Sequence, residues 1–181
     1  MSEEKQLIDA AREGSVSAFT RLVQAYREKL LRFLVTRSAS YADAEDALQD
    51  TFVNAFRYLD SYDPRWRFST WLYRIAIRNL ARVQGRESAE LPEIPDESAD
   101  PLLHCIEASE AENLWVTARR LLTGEVYSAL WLRYVEDMSI RDVAAVLDRS
   151  ESWTKVNLLR ARQVLGSELA APGNQGSKAY G

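Results

Sequence analysis

Apolar positions along the chain recur at steps of three and four residues. Phe19, Leu22, Val23, Tyr26, Leu30, Phe33 and Leu34 form one such series, the stripe of an amphipathic helix packed on one side, and predict a helix over residues 18–37. A second series holds Ala44, Ala47, Leu48, Phe52, Ala55, Phe56 and Leu59. Ser40 is placed to cap its start, and Asp43, Glu45 and Asp46 lie where the positive end of a helix dipole favours carboxylates. That helix should stop before Asp63 and Pro64, because a residue preceding proline avoids helical backbone. Phe68, Trp71, Leu72, Ile75, Ala76, Asn79 and Leu80 mark a third helix. Three helices of this kind can share one core.

The pattern then breaks. From Gln84 to Pro101 the chain is rich in Gly, Ser, acids and the prolines Pro92, Pro95 and Pro101, the composition of a linker. Periodicity returns with Leu114, Ala118, Leu121 and Leu122, after a Ser109 and Glu112 spaced as in a capping box, and this helix should end at Thr123 and Gly124. Further helices are expected over 126–135, 139–147 and 151–165, the last two joined by a four-residue turn, as in a helix-turn-helix. No segment alternates with period two. The fold class is all-α: a small helical domain over 1–86 built as a three- or four-helix bundle, a flexible acidic linker over 87–108, a second helical domain over 109–168 and a disordered tail over 169–181.

Charge changes this picture by its distribution. The net charge of -4 argues against a nucleic-acid partner only if it is spread evenly. It is not. Residues 43–63 carry six acids against Arg57 alone, whereas residues 64–86 carry six arginines and no acid. Residues 87–112 then hold nine acids without a Lys or Arg, and residues 139–165 return to an excess of bases. Two basic elements are thus separated by an acidic connector.

Catalytic chemistry finds no footing. The seven glycines form no phosphate-binding loop. A single histidine, His104, and a single cysteine, Cys105, offer neither a usual zinc site nor an internal disulfide, so no metal or cofactor is expected and a reducing cytoplasm fits best. Charge interrupts every apolar stretch, and neither a membrane span nor a signal peptide is expected.

Binding chemistry is better supplied. Seven of the 18 aromatic residues fall between Phe56 and Tyr73, interleaved with Arg57, Arg65 and Arg67. Rings that stack on bases beside guanidinium groups that take phosphates are a way of holding single strands. Phe56, Phe68 and Trp71 lie on apolar stripes and read as core. Tyr62, Trp66 and Tyr73 lie off them and are candidates for strand contact. Arg74, Arg78 and Arg82 follow at four-residue steps as a basic row. In the last helix pair, Val143, Ala144, Leu147, Leu158 and Ala161 should point inward, leaving Lys155, Val156, Leu159 and Arg160 for a major groove.

These residues together resemble the sigma-70 family of bacterial transcription initiation factors, in its small extracytoplasmic-function (ECF) group, over about residues 7–165. Residues 43–52 look like region 2.2. The resemblance implies that Asp43, Glu45, Asp46, Leu48, Gln49, Asp50 and Phe52 dock on the β′ clamp helices of core RNA polymerase, with the β subunit also in reach. Residues 68–79 are similar to regions 2.3 and 2.4, which recognise and melt the -10 promoter element, and residues 60–67 match the place where a flipped base is captured. That assigns Tyr62, Arg65, Trp66, Arg67, Tyr73, Arg74, Arg78, Asn79 and Arg82 to -10 DNA and its melting. Residues 113–165 look like region 4, giving Arg141, Arg149, Ser152, Trp153, Lys155, Val156, Leu159 and Arg160 to the -35 element. An anti-sigma factor is a further implied partner, and promoter DNA is implied in both double- and single-stranded form.

The pattern departs from the family at several positions. Asp148 stands where the family often has Gly, although Asp tolerates left-handed backbone. Trp153, Thr154 and Asn157 replace a more usual Thr, Val and Arg, and Trp153 reads equally as a core plug or a DNA contact. The acidic connector reads equally as a mimic of a nucleic-acid backbone or as a solvated tether. The expected function is promoter-directed initiation without catalysis by this chain. The alternative is a stand-alone helix-turn-helix regulator, which has no use for an aromatic and arginine loop.

Overall fold

A computed structural model describes residues 2–87 and 110–171, and every described element is helix or turn. The chain divides into two compact units, Met1–Pro101 and Leu102–Gly181. The expected linker beyond Glu87, with its His104 and Cys105, the Ser109 cap and nearly all of the tail lie outside the described residues.

The first unit contains α1 (Glu3–Arg12), α2 (Val16–Arg37), α3 (Tyr41–Arg57), a 3-10 turn (Leu59–Ser61) and α4 (Phe68–Glu87). α1 was not anticipated from the polar start of the chain. It forms because Ser2 caps it and because Ile8 and Ala11 are buried as the helix packs on α2. Its end is a tight reversal: Gly14 adopts φ +97°, its N–H donates to the Ala11 carbonyl, and the Ser15 N–H donates to the Ala10 carbonyl. This crossed pair of bonds around a left-handed glycine is the Schellman ending of a helix. Ser15 then turns outward to accept the Ala18 N–H and start α2.

α4 lies against both α2 and α3, which explains its burial. Phe68, Leu72, Tyr73, Ala76, Leu80 and Val83 are all buried, more than a single stripe provides. Ala44, Ala47 and Ala55 of α3 are fully buried, and such small side chains let two helices approach closely. Phe33 of α2 meets Tyr73 edge-on, ring centroids 5.5 Å apart. A polar thread joins α3 to α4: Asn79 donates its amide to Thr51 Oγ1 at 3.3 Å, and Asn54 donates to Asn79 Oδ1 at 3.1 Å. Buried polar groups paired in this way escape the desolvation cost of about 1–3 kcal/mol that an orphan incurs.

The second unit contains α5 (Glu110–Leu121), α6 (Gly124–Tyr134), α7 (Ile140–Leu147) and α8 (Glu151–Ala170). α8 touches each of the other three and serves as their spine. Thr123 and Gly124, expected to end one helix, begin the next: Thr123 accepts the Val126 N–H as the cap of α6. Trp131 packs against Trp115 with centroids 5.0 Å apart and donates its indole N–H to Glu136. α8 runs to Ala170, five residues past its expected end and through the first residues assigned to the tail.

Candidate nucleic-acid interface

Three surfaces carry the residues singled out from the sequence. On the outer side of α3, Ser40 and Asp43 form the helix cap, the serine hydroxyl donating to the Asp43 carboxylate while accepting its N–H. Glu45, Asp46 and Gln49 are exposed and Phe52 is half-buried. Asp50 pairs with Arg82 of α4 at 2.5 Å. Leu48 departs from its expected place on this face: it is only 4% exposed and belongs to the core, since it sits one residue after Ala47 on the inward side of the helix.

The second surface is the turn between α3 and α4. Asp63 organises it. Its carbonyl accepts the Trp66 N–H at 3.1 Å and its carboxylate accepts the Arg65 N–H at 3.0 Å, so Pro64 occupies the corner position for which its fixed φ is suited. The Arg65 guanidinium also pairs with this carboxylate at 2.6 Å, and these contacts hold the Asp63 carboxyl below its ordinary pKa. Arg65 and Arg67 are exposed, and the Trp66 side chain is half-buried at the closing position of the turn.

Three residues assigned to strand contact are instead structural. Tyr62 is 8% exposed, its ring packed on Phe68 and Trp71 and its hydroxyl donating to the Trp66 carbonyl at 2.7 Å. Tyr73 is fully buried against Phe33, and Asn79 is 5% exposed within the polar thread. None of these three side chains offers a surface to a base in this fold. Phe56 errs the other way: it is 51% exposed, touching Phe19 edge-on near the end of α3 rather than filling the core. Arg78 and Arg82 are exposed along α4, and Arg74 is half-buried.

Arg12 was not anticipated. From the last turn of α1 its guanidinium donates to the carbonyls of Leu59 and Tyr62 and lies 5.5 Å over the Tyr62 ring. Only its place just before a helix-ending glycine hints at such a role in the sequence.

The third surface is the α7–α8 pair. Asp148 takes left-handed backbone, φ 55° and ψ 45°, and Ser150 caps α8 by accepting the Trp153 N–H. Val143, Ala144, Leu158 and Ala161 are buried and Leu147 is half-buried, while Lys155, Val156, Leu159 and Arg160 are exposed along one side of α8. Arg141 and Ser152 are exposed as well. Trp153 is half-buried beneath Arg149, whose guanidinium lies 5.3 Å above the ring and pairs with Glu125 at 2.6 Å. It is neither a core plug nor a free ring.

Among the described residues no group of three or more His, Cys, Asp or Glu is arranged to hold a metal ion, and no helix is long and apolar enough to cross a membrane.

Comparison with known proteins places both units. The family model for Sigma-70 region 2 matches residues 22–87, and that for Sigma-70, region 4 matches residues 121–165. The chain is 28% identical over 180 residues to the ECF RNA polymerase sigma-E factor of Haemophilus influenzae, spanning 92% of this chain and 95% of that protein. It is 29% identical over 177 residues to the ECF RNA polymerase sigma-E factor of Escherichia coli strain K12, spanning 90% and 92%. Among solved structures it is similar to CnrH in complex with the cytosolic domain of CnrY, with a TM-score of 0.69 and 25% identity over 93% of this chain and 97% of that one. The fold is also similar to that of the sigma factor RpoE in complex with the anti-sigma factor NepR from Bartonella quintana, with a TM-score of 0.69 and 23% identity over 87% and 99%.

Proposed function

Because the chain belongs to the sigma-70 family, in its ECF group, we propose that it docks on core RNA polymerase through the acidic outer face of α3 and directs it to promoters read at two places. In this reading residues 1–86 bind polymerase and melt the -10 element, residues 109–168 read the -35 element, and residues 87–108 connect them. Glu45, Asp46, Gln49 and Asp50 face the β′ clamp helices. The polymerase performs nucleotidyl transfer, and this chain supplies recognition and strand capture.

The observation that carries the reading is the turn over residues 62–66. A repressor that binds only duplex DNA gains nothing from an indole held where a hydrogen-bonded turn closes, between Arg65 and Arg67. A strand-capturing protein does, because a ring takes an unpaired base and flanking cations take its phosphates. The exposed side of α8, with Lys155 and Arg160 beside Val156 and Leu159, is suited to a major groove. An anti-sigma factor is a partner of the same reading; the solved structures of similar fold include the sigma factor RpoE in complex with the anti-sigma factor NepR.

The test is run-off transcription with purified core polymerase across a broad promoter library, with and without the chain. Promoter-specific transcripts that require the chain are expected. Absence of both core binding and transcripts across the library would remove the proposal.

A further inference from the structure

The strand-capturing turn does not hold itself. Its interior is closed by the Tyr62 hydroxyl on the Trp66 carbonyl and by the Asp63 carbonyl on the Trp66 N–H. Its root, where the chain leaves the 3-10 turn, is fixed by a residue some fifty positions earlier. Arg12 donates Nε to the Leu59 carbonyl at 3.4 Å and a terminal nitrogen to the Tyr62 carbonyl, and its charge lies over the Tyr62 ring. One guanidinium thus grips both ends of the segment that enters the turn and the face of the ring beneath it.

Arg12 is itself held in register. It occupies the last helical position of α1, before the reversal that Gly14 and Ser15 complete, and Ile8 and Ala11 fix the rotation of α1 on α2. A cation there also faces the negative end of the helix dipole. The planar fork of arginine suits two acceptors at once, which a lysine ammonium on a flexible stem does not reproduce.

Building on the promoter-melting function proposed above, we propose that Arg12 is a positioning residue for -10 strand capture: by fixing the Leu59 and Tyr62 carbonyls it sets the direction in which Trp66, Arg65 and Arg67 are presented, and so couples α1 to promoter opening. Arg12 touches no DNA in this role. Loss of its charge-assisted bonds releases the root of the turn while leaving the α2–α4 core and the docking face of α3 intact.

The experiment uses holoenzyme assembled with wild type, Arg12→Ala or Arg12→Lys on the strongest promoter recovered from the run-off library. Three quantities are measured: core affinity by competition, closed-complex formation on duplex promoter, and melted fraction by permanganate reactivity of thymines. Arg12→Ala is expected to lower the melted fraction about tenfold, the scale of losing one or two charge-assisted hydrogen bonds, with core affinity and closed-complex formation within about twofold of wild type on the same scale. Arg12→Lys should lie between the two. Hydrogen exchange on the free chain should show faster exchange confined to residues 59–67. Melting unchanged by Arg12→Ala, or a loss of core affinity equal to the loss of melting, overturns the assignment. If the alanine variant does not fold, Arg12→Gln, which keeps one amide donor, decides by the same ratio of melting to core affinity. A library that yields no promoter overturns the function instead, and the hydrogen-exchange result then judges the contact of Arg12 alone.

Discussion

The Asp50 carboxylate of α3 meets the Arg82 guanidinium of α4 at 2.5 Å, although the function proposed above gives the two residues opposite tasks, one in polymerase docking and the other in DNA binding. Both side chains are well exposed, at 37% and 48%, so the pair contributes little to folding. A double-mutant cycle should give a coupling of about 0.2–1 kcal/mol that shrinks as salt is added. Its consequence for binding is larger. Asp50→Asn releases Arg82, and the free chain should bind non-specific duplex more tightly, with a salt slope steeper by about 0.9 for the one added phosphate contact. Anisotropy titrations at several salt concentrations measure this, and an unchanged slope would mean that Arg82 makes no phosphate contact.

Trp66 closes the turn through its backbone, its carbonyl accepting the Tyr62 hydroxyl and its N–H donating to the Asp63 carbonyl. Trp66→Ala removes the indole and keeps both of these backbone bonds. Open-complex formation should weaken by about 1–3 kcal/mol, the worth of one base stack, while closed-complex binding on duplex promoter stays the same. Equal losses in both assays would take Trp66 out of strand capture.

On α8, Lys155 and Arg160 are exposed on the side that the α7–α8 pair presents. As phosphate contacts, Lys155→Ala or Arg160→Ala should each lower the salt slope of promoter binding by about one and weaken all promoters alike. A loss confined to one base position, seen in a promoter-variant panel, would instead assign that residue to base reading.

The buried residues predict stability effects. Tyr73→Ala empties a fully buried site against Phe33 and should cost about 3–5 kcal/mol. Asn79→Ala leaves Thr51 and Asn54 without their partner and should cost about 1–3 kcal/mol. Denaturant midpoints at constant slope test both, and a Tyr73→Ala chain as stable as wild type would contradict the burial.

Tyr26 donates its hydroxyl to Glu4, and burial together with that carboxylate raises its pKa well above the ordinary 10.0. The fold therefore favours the protonated phenol. Its stabilising contribution is complete below pH 10.0, where the unfolded phenol is also protonated, and is lost as pH rises from there through the folded value. Denaturation titrations between pH 8 and pH 11, about two units below and one above the ordinary phenol value, should show stability falling at the alkaline end. Tyr26→Phe should flatten that fall.

The helices were largely legible because their caps and stripes are local. Ser40, Ser139 and Ser150 each cap the helix that follows, and of the residues expected to face inward from α7 and α8, Val143, Ala144, Leu158 and Ala161 are buried while Leu147 is half-buried. What escaped depends on the number of neighbours a helix has. α4 lies between α2 and α3, so it buries two faces, and a search for one stripe leaves Tyr73 outside when it is at the centre. Tyr62 was misplaced because a hydroxyl reads as a surface group until its acceptor, a carbonyl four residues on, is known. Phe56 was misplaced because periodicity does not show how much of a ring is left open near the end of a helix, and half of this one is exposed beside Phe19. Arg12 escaped because its partners are backbone carbonyls, which carry no sequence identity.

The short helix α7 is bracketed by Asp137 and Asp148, at φ 51° and 55° the two described non-glycine residues with left-handed backbone. That makes both positions a filter on which variants of this chain can exist. Gly and Asn pass, because they enter the left-handed region at little cost, and Val, Ile or Thr do not, because a branched Cβ collides there. Selection at these two places acts on handedness rather than on charge, so a family-wide tolerance for acidic, amide and glycine residues there would be one constraint appearing in three spellings.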